Sequence, residues 1–260
     1  MARIIAVALA KGGVGKTTTA VNLAAGLARA GRRVLVVDTD TQGQVAHALG
    51  VTADVGLYEF VKGDATAADV LVEARPNLYV MGGGRNLALL EKEITLKQFR
   101  VEWALHDALS PLDSYFNYVI VDTAPAWGVL AINTFAYANE LLCPVTLEML
   151  AVKGLIDFLD RVNPIIQATG AELRYVLPTM QDRRLAQTGE ILSQLQSTFG
   201  EMLCEPIRSN VRLSEAGGHG QHIFEYAPDS KGAADYKKLT ERILADEQAQ
   251  ESRDGIRKPR

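Results

Sequence analysis

The sequence contains few of the residues that small metal and redox sites need. Its 260 residues include only two cysteines and four histidines. Cys143 and Cys204 lie far apart in the chain, and their spacing matches no metal-binding or redox motif. We therefore interpret both as small core residues, and such cysteine usage is typical of a reducing cytoplasm.

Positive charge and long apolar runs are also scarce. The formal net charge is −4, so any contact with nucleic acid must come from a local basic patch. No apolar run is long enough and free enough of charge to cross a bilayer. Residues 1–10 mimic a short secretion signal, but cleavage there would remove a strand that the next motif needs, so we expect none. The length suits one large α/β domain.

A glycine-rich loop lies between an apolar run and a helical pattern. Residues 4–9 predict a buried strand, residues 10–18 read Ala-Lys-Gly-Gly-Val-Gly-Lys-Thr-Thr, and residues 19–29 predict a helix. A strand, a glycine turn and a helix start form a phosphate cradle, because backbone N–H groups and the positive end of the helix dipole converge there. We expect Lys16 to neutralise the β- and γ-phosphates and Thr17 to offer its hydroxyl to Mg²⁺.

Acidic residues follow two further predicted strands. Residues 34–37 lead into Asp38-Thr39-Asp40-Thr41-Gln42-Gly43, and residues 118–121 lead into Asp122. The carboxyl ends of parallel strands face the ligand crevice of an α/β sheet. We expect Asp122 to hold the Mg²⁺ shell through a water. The alternative for residues 38–43 is a turn in which Asp38 caps a helix.

The rest of the chain alternates between the two patterns. Further strands are predicted at 78–81, 140–145 and 173–178, and helices at 86–110, 151–168 and 185–199, with short helices over 44–75. Gly82-Gly83-Gly84 is interpreted as a flexible turn, since no Lys-Ser/Thr follows it. The alternation predicts a doubly wound, mostly parallel sheet with helices on both faces. We expect one domain over 1–245 and a disordered polar tail over 246–260.

The loop resembles the deviant phosphate loop of the ParA/MinD family of ATPases, in which a second lysine, here Lys11, opens the loop, and Ala10 stands where the usual motif has glycine. Residues 38–43, 122–125, 179–184 and 206–216 also resemble family patterns, although Thr41 and Ala124 replace expected prolines. The resemblance is strongest near both ends and weakest between 50 and 115.

The resemblance implies an ATP- and Mg²⁺-dependent ATPase and assigns residues to its site. Lys11 would reach the partner subunit's nucleotide across a sandwich homodimer, and Asp40 would orient the attacking water, so the implied catalytic residues are Lys11, Lys16 and Asp40. The implied metal-binding residues are Thr17 and Asp122. The implied nucleotide-binding residues are Lys11, Gly12, Gly13, Val14, Gly15, Lys16, Thr17, Thr18 and Pro206.

Several functions share this scaffold, and the resemblance favours partition of DNA or positioning of a cargo over the nucleoid. In that branch the ATP-bound dimer binds double-stranded DNA without sequence preference. Arg212 and either Arg183 or Arg184 match DNA-contacting positions, and Arg208 could extend the patch. The competing interpretation is that these are solvated surface charges. The expected activator of a slow ATPase is a ParB-type protein or cargo adaptor.

Three alternatives remain from other branches. A MinD-like protein needs a C-terminal amphipathic helix for the membrane, but ordinary packing explains the apolar stripe of residues 236–244. A nitrogenase-reductase-like protein needs paired cysteines at a dimer interface. A metabolic ligase is possible, although the sequence shows no added substrate motif. We therefore expect a cytoplasmic, nucleoid-associated protein with no membrane partner.

Overall fold

The computed structural model describes residues 2–182 and 184–257. Within these residues seven strands form one sheet in the order β3-β4-β2-β5-β1-β6-β7. The strands are β1 (Arg3–Val7), β2 (Val34–Asp38), β3 (Leu71–Arg75), β4 (Leu78–Met81), β5 (Tyr118–Asp122), β6 (Glu140–Thr146) and β7 (Glu172–Thr179). The neighbouring strands are parallel except for the edge pair β3–β4, which is antiparallel.

Helices cover both faces of the sheet, as the alternating pattern predicts. They are α1 (Lys16–Arg29), α2 (Gln44–Ala48), α3 (Leu57–Lys62), α4 (Ala67–Val70), α5 (Leu87–Thr95), α6 (Ala104–Leu109), α7 (Val129–Tyr137), α8 (Ala151–Thr169), α9 (Ala186–Phe199), α10 (Val211–Gly218), α11 (Ile223–Tyr226) and α12 (Lys231–Arg257). Successive strand residues point to opposite faces. Ile5 accordingly packs with α1 and α12, whereas Ile4 packs with helices of the other face.

The predicted long helix over residues 86–110 is wrong. It is two helices, α5 and α6, with a loop and a short 3₁₀ turn between them. The buried side chains of α5 are Leu87, Leu90 and Ile94. Phe99 then lies 82% exposed, so the apolar face that would stabilise a continuing helix is absent there. Arg100 adopts a left-handed conformation with φ of 57°, which ends any helical path.

An edge strand replaces part of the region predicted as short helices. Residues 71–75 form β3, which pairs with β4 through a register shift between Glu73 and Arg75. The burial of β3 is only partial, since its strand neighbours lie on one side alone. The strand is therefore specified by its partner, β4, more than by its own alternation of apolar residues.

The last helix continues through residues where the sequence predicts a disordered tail. α12 runs to Arg257. Its apolar residues Tyr236, Leu239 and Ile243 are buried against the sheet and α1. Beyond them, the hydroxyl of Tyr175 donates to Asp246 at 2.9 Å, and Arg32 donates to Glu247 at 2.8 Å. Two polar contacts therefore hold a segment that has little apolar surface of its own.

A buried ion pair fastens α12 to the amino-terminal edge of the sheet. Arg3 on β1 donates two hydrogen bonds to Glu140 on β6, at 2.8 and 2.7 Å. It also donates to the backbone oxygen of Ile243 at 2.8 Å. The two side chains are only 12% and 8% exposed. Removing one partner of such a pair leaves a buried charge without compensation.

We expect Arg3→Met to lower the free energy of unfolding by about 3 to 5 kcal/mol, because Glu140 keeps its charge without a cation. Urea denaturation followed by circular dichroism measures the change. The double variant Arg3→Met/Glu140→Leu should recover most of the loss, since both charges are then gone. Arg100→Met, which removes an exposed arginine from its pair with Asp107, should leave the transition unchanged. Equal effects at Arg3 and Arg100 would contradict this account.

Candidate nucleotide-binding site

The glycine-rich loop connects β1 to α1 and leaves the start of α1 open. Gly13 and Gly15 have φ values of 72° and 87°, in the left-handed region that favours glycine. Gly15 precedes the first turn of α1, which has no side-chain cap and no acidic residue. The helix start thus keeps unpaired N–H groups and its positive dipole end, which together favour an anion.

Lys16 lies at the centre of this loop and is 7% exposed. Its ammonium group donates to the backbone oxygen of Lys11 at 2.9 Å. Burial lowers the pKa of Lys16, and the negative charges of Asp122 and Asp40 oppose that effect. A bound anion would favour the charged ammonium further. The geometry therefore fits the role predicted for Lys16 as a phosphate ligand.

Thr17 and Asp122 meet across two adjacent strand ends. The Thr17 hydroxyl donates to Asp122 Oδ2 at 2.7 Å. The other oxygen, Oδ1, is buried and has no hydrogen-bond partner within the described residues. Burial, and then the neighbouring charge of Asp38, raise the pKa of Asp122 well above its usual value. A hydroxyl and a carboxylate with a free oxygen are donors that fit Mg²⁺.

Asp38, the last residue of β2, and Asp40, in the loop after it, differ in burial and in role. Asp38 is fully buried and accepts hydrogen bonds from the backbone N–H groups of Asp40 and Val45, at 2.9 and 3.0 Å. Burial raises its pKa to about 6, against those two hydrogen bonds. Asp38 therefore anchors the loop and the first turn of α2, although the N-cap residue of that helix is Gly43 rather than Asp38. Asp40 is half-buried and lines the cleft.

A cleft of about 630 Å³ opens beside the loop. From the predicted site it takes in Gly12, Gly13, Gly15, Lys16, Thr17, Thr18 and Asp40. Val14 is buried beneath the loop, where its backbone oxygen accepts from Thr179 at 3.0 Å. Pro206 is half-buried beside the cleft, whose wall begins at the next residue, Ile207.

The cleft also includes residues that the sequence analysis did not assign. Thr179 and Met180 line it together with Ile207, Ser209 and Asn210. The signal for the first two was available, because Thr179 ends β7 and carboxyl strand ends face the crevice. The segment 207–210 gave no such signal. It reaches the cleft by pairing with Gln181, which donates to the oxygen of Ile207 at 3.0 Å.

Lys11 points away from the cleft of its own chain. Its ammonium group donates to Glu148 at 2.7 Å and to Thr146 at 3.3 Å, both near the end of β6. The side chains of Lys11 and Glu148 are 49% and 60% exposed. Lys16 and Lys11 therefore stand in different environments, one buried in the loop and one held at the surface.

The predicted DNA-contacting arginines lie on exposed turns. Arg212, in the first turn of α10, pairs with Glu215 at 2.7 Å. Arg184 follows β7, is 89% exposed and pairs with Asp182 at 2.6 Å. Arg183 lies outside the described residues. Arg208 is held by Asp235 through its side chain and backbone N–H. Since Asp235 is buried, Arg208 serves the fold more than the surface.

The fold and the site together define a class of nucleotide-binding protein. A glycine loop between a central parallel strand and a helix, with a Lys-Thr pair facing an acidic strand end, is the site of a P-loop nucleotide-binding protein. Residues 2–175 match the family model described as an AAA domain.

Similarity to known proteins extends over nearly the whole chain. The chromosome-partitioning ATPase Soj of Thermus thermophilus is 36% identical over 94% of this chain and 96% of its own. The sporulation initiation inhibitor protein Soj of Bacillus subtilis is also 36% identical, over 94% of this chain and 99% of its own. The chain therefore belongs to the ParA/MinD family of ATPases, and it is similar to the partition proteins Soj and ParA.

A solved structure supports the fold with a TM-score of 0.80. It is the cobyrinic acid a,c-diamide synthase of Mycobacterium smegmatis with bound ADP and magnesium, which is 32% identical and covers 94% of each chain. The chain is thus similar to a synthase as well as to partition proteins. The scaffold alone thus does not choose between positioning and metabolic functions.

We expect Lys16→Ala to weaken nucleotide binding by about 100-fold or more, because a buried cation would be lost from the phosphate site. Isothermal titration with a non-hydrolysable ATP analogue and magnesium measures the affinity. Lys62→Ala, on α3, is the matched control and should bind as the unchanged protein does. Binding by Lys16→Ala within threefold of that value would contradict the assigned role.

Proposed function

We propose that this protein is an ATP- and Mg²⁺-dependent ATPase that dimerises around ATP, binds DNA non-specifically, and partitions DNA or positions a large cargo over the nucleoid. The observation that carries the proposal is the pair of lysines in one loop. Lys16 lies in the cleft, whereas Lys11 is displayed at the surface beside it. An exposed lysine beside the phosphate loop supports action on a nucleotide outside its own chain.

The residues of the cleft account for hydrolysis without a covalent intermediate. Backbone N–H groups of residues 12–18 and the ammonium of Lys16 hold the phosphates. Thr17 and Asp122 would hold Mg²⁺, which supplies positive charge to the phosphate oxygens. Asp40 orients the water for in-line attack. Because an isolated carboxylate is a weak base for water, we expect slow turnover until a ParB-type protein or cargo adaptor completes the site.

The surface around Lys11 supports self-association. Met149 and Leu150 follow Glu148 and are 82% and 74% exposed. Leu150 has a φ of 69°, a left-handed conformation that is strained for a leucine. Large apolar side chains next to the exposed lysine are the composition expected at the centre of a protein interface. A second copy of the chain would cover them and receive Lys11.

We expect Lys11→Ala to remain monomeric with ATP and magnesium, because the partner's phosphates lose the cation that joins the two chains. Sedimentation velocity with a non-hydrolysable analogue compares it with the unchanged protein. Lys237→Ala, which removes an exposed lysine on α12, is the control and should dimerise. Full dimerisation of Lys11→Ala would remove the proposed action across the interface.

The position of the arginines supports DNA binding at one end of the molecule. Ser209 donates to the backbone oxygen of Gln181 at 2.9 Å, which joins the segments that carry the two arginines. Arg184 follows Gln181 by three residues, and Arg212 follows Ser209 by three. Both side chains are exposed, and each pairs with a nearby acid in its own segment. Phosphates could replace these acids at low cost, because exposed ion pairs stabilise little.

We expect Arg212→Ala to weaken DNA binding equally for all sequences and to reduce the slope of log K against log salt by about one per lost phosphate contact. Fluorescence anisotropy with unrelated duplexes, at several salt concentrations and with a non-hydrolysable analogue, measures both. Arg100→Ala is a matched control, since Arg100 is also exposed and paired with an acid. Unchanged DNA affinity in Arg212→Ala would show that the patch lies elsewhere.

Two other functions of the scaffold receive less support. For a MinD-like membrane protein, the apolar face of α12 is already buried against the domain. A ligase would hydrolyse ATP only with its substrate. Pelleting with plasmid only when ATP is present supports the proposal, whereas flotation with anionic liposomes would favour the membrane function.

A further inference from the structure

The triple glycine after β4 is closely packed, although its sequence predicts a flexible turn. β4 is the neighbour of β2 in the sheet, so Gly82–Gly84 lies beside the loop that follows Asp38. A Cβ atom at Gly83 would lie 2.7 Å from the backbone oxygen of Asp38 and 2.8 Å from that of Asp40. Real Cβ atoms do not approach so closely, so only glycine fits there without movement of the loop.

The same turn holds Asp40 by hydrogen bonds. The backbone oxygen of Asp40 accepts from Gly84 at 3.1 Å and from Gly43 at 3.0 Å. Gly43 itself contacts the turn, since its Cβ would lie 3.1 Å from the Cα atom of Gly84. The main chain of Asp40 is therefore enclosed between two glycine segments. Its side chain lines the cleft, where one oxygen accepts from the backbone N–H of Gln42 at 2.9 Å.

The glycine turn is also supported on the side away from Asp40. The oxygen of Gly82 accepts from Leu57 at 2.9 Å, and the oxygen of Gly84 accepts from Leu87 at the start of α5. Leu57 and Leu87 are both buried. A Cβ at Gly82 would lie 2.7 Å from the Cβ of Ala53, so this side is also tightly packed. Displacement of the turn would thus require movement of the core beneath it.

We propose that Gly83 is a positioning residue that sets the rate of hydrolysis by fixing Asp40 at the cleft. This inference rests on the proposed function, in which Asp40 orients the attacking water. The Cβ position of Gly83 faces the backbone oxygens of Asp38 and Asp40 and lies 2.9 Å from the side-chain Cγ of Asp38. A side chain at 83 would move the water-orienting carboxylate and leave Lys16 and Thr17 where they are.

The variant Gly83→Ala tests this inference. Its kcat and its affinity for nucleotide are measured separately, because only kcat should change. The value of kcat should fall on the order of 10- to 100-fold, because small misplacement of a reacting group is costly. Affinity for a non-hydrolysable analogue should stay within threefold. Gly189→Ala, on α9, where a Cβ meets nothing within 4 Å, is the matched control and should keep both values. Unchanged kcat in Gly83→Ala, or an equal loss of kcat and affinity, would overturn the inference.

A double-variant cycle separates this inference from the function on which it rests. Single-turnover assays with Asp40→Ala should show hydrolysis reduced by on the order of 100-fold or more, with ATP still bound. In that background Gly83→Ala should cost less than about twofold, because its effect passes through the missing carboxylate. Full additivity would refute positioning through Asp40. Normal hydrolysis by Asp40→Ala would refute the proposed function itself.

A second pair of variants covers the case in which Gly83→Ala does not fold. Gly82→Ala should push the turn from behind against Ala53 and lower kcat by about threefold or more. Adding Ala53→Gly removes the contacting methyl and should restore kcat. Normal turnover by Gly82→Ala, or failure of Ala53→Gly to restore it, would contradict the role of the turn. Circular dichroism melting of each variant confirms that folded protein is compared.

Discussion

The hydrogen bond from Thr17 to Asp122 joins the phosphate loop to the strand beside it, and the chemistry of the site depends on that alignment. β5 lies between β1 and β2, and its Asp122 pairs in register with Val7 on one side and Asp38 on the other. Two buried carboxylates therefore stand side by side. Asp38 is stabilised by two backbone N–H groups, whereas one oxygen of Asp122 has no hydrogen-bond partner within the described residues. The carboxyl edge of the sheet thus supplies an anchor and, in the proposed site, a magnesium ligand.

The alignment of parallel strand ends allows a site of this kind to be predicted from sequence. Parallel strands end at one edge, so each polar residue that follows a buried strand is expected there. In the structure Lys16, Thr17 and Asp40 line one cleft, and Asp122 is hydrogen-bonded to Thr17. The same rule applies to Thr179, which was not assigned from the sequence. The doubly wound sheet is confirmed for the same reason, since long apolar runs between helices have few other ways to be buried.

The parts that were not predicted depend on contacts between distant segments. Residues 96–100 share the composition of a helix, yet Phe99 is 82% exposed and adds little to a buried helix face. Residues 246–257 have the composition of a solvated tail, yet α12 continues through them, and Tyr175 and Arg32 from other elements contact its residues 246 and 247. In the sequence the triple glycine predicts only a turn. Its packing against Asp38 follows from the pairing of β4 with β2, which the sequence pattern does not reveal. Local propensity cannot report such neighbours.

The basic residues form two groups, according to whether the acid with which each one pairs is buried. Arg3 and Arg208 are paired with buried acids, Glu140 and Asp235, so releasing either would strand a charge inside the protein. Lys11, Arg184 and Arg212 are paired with acids whose side chains are 26% to 60% exposed, so water can solvate these acids after separation. This second set can exchange a carboxylate for a phosphate without leaving a charge buried in the core, as can other surface pairs such as Arg100 with Asp107. The residues assigned to contacts outside the chain therefore lie among those that the fold leaves free to change partners.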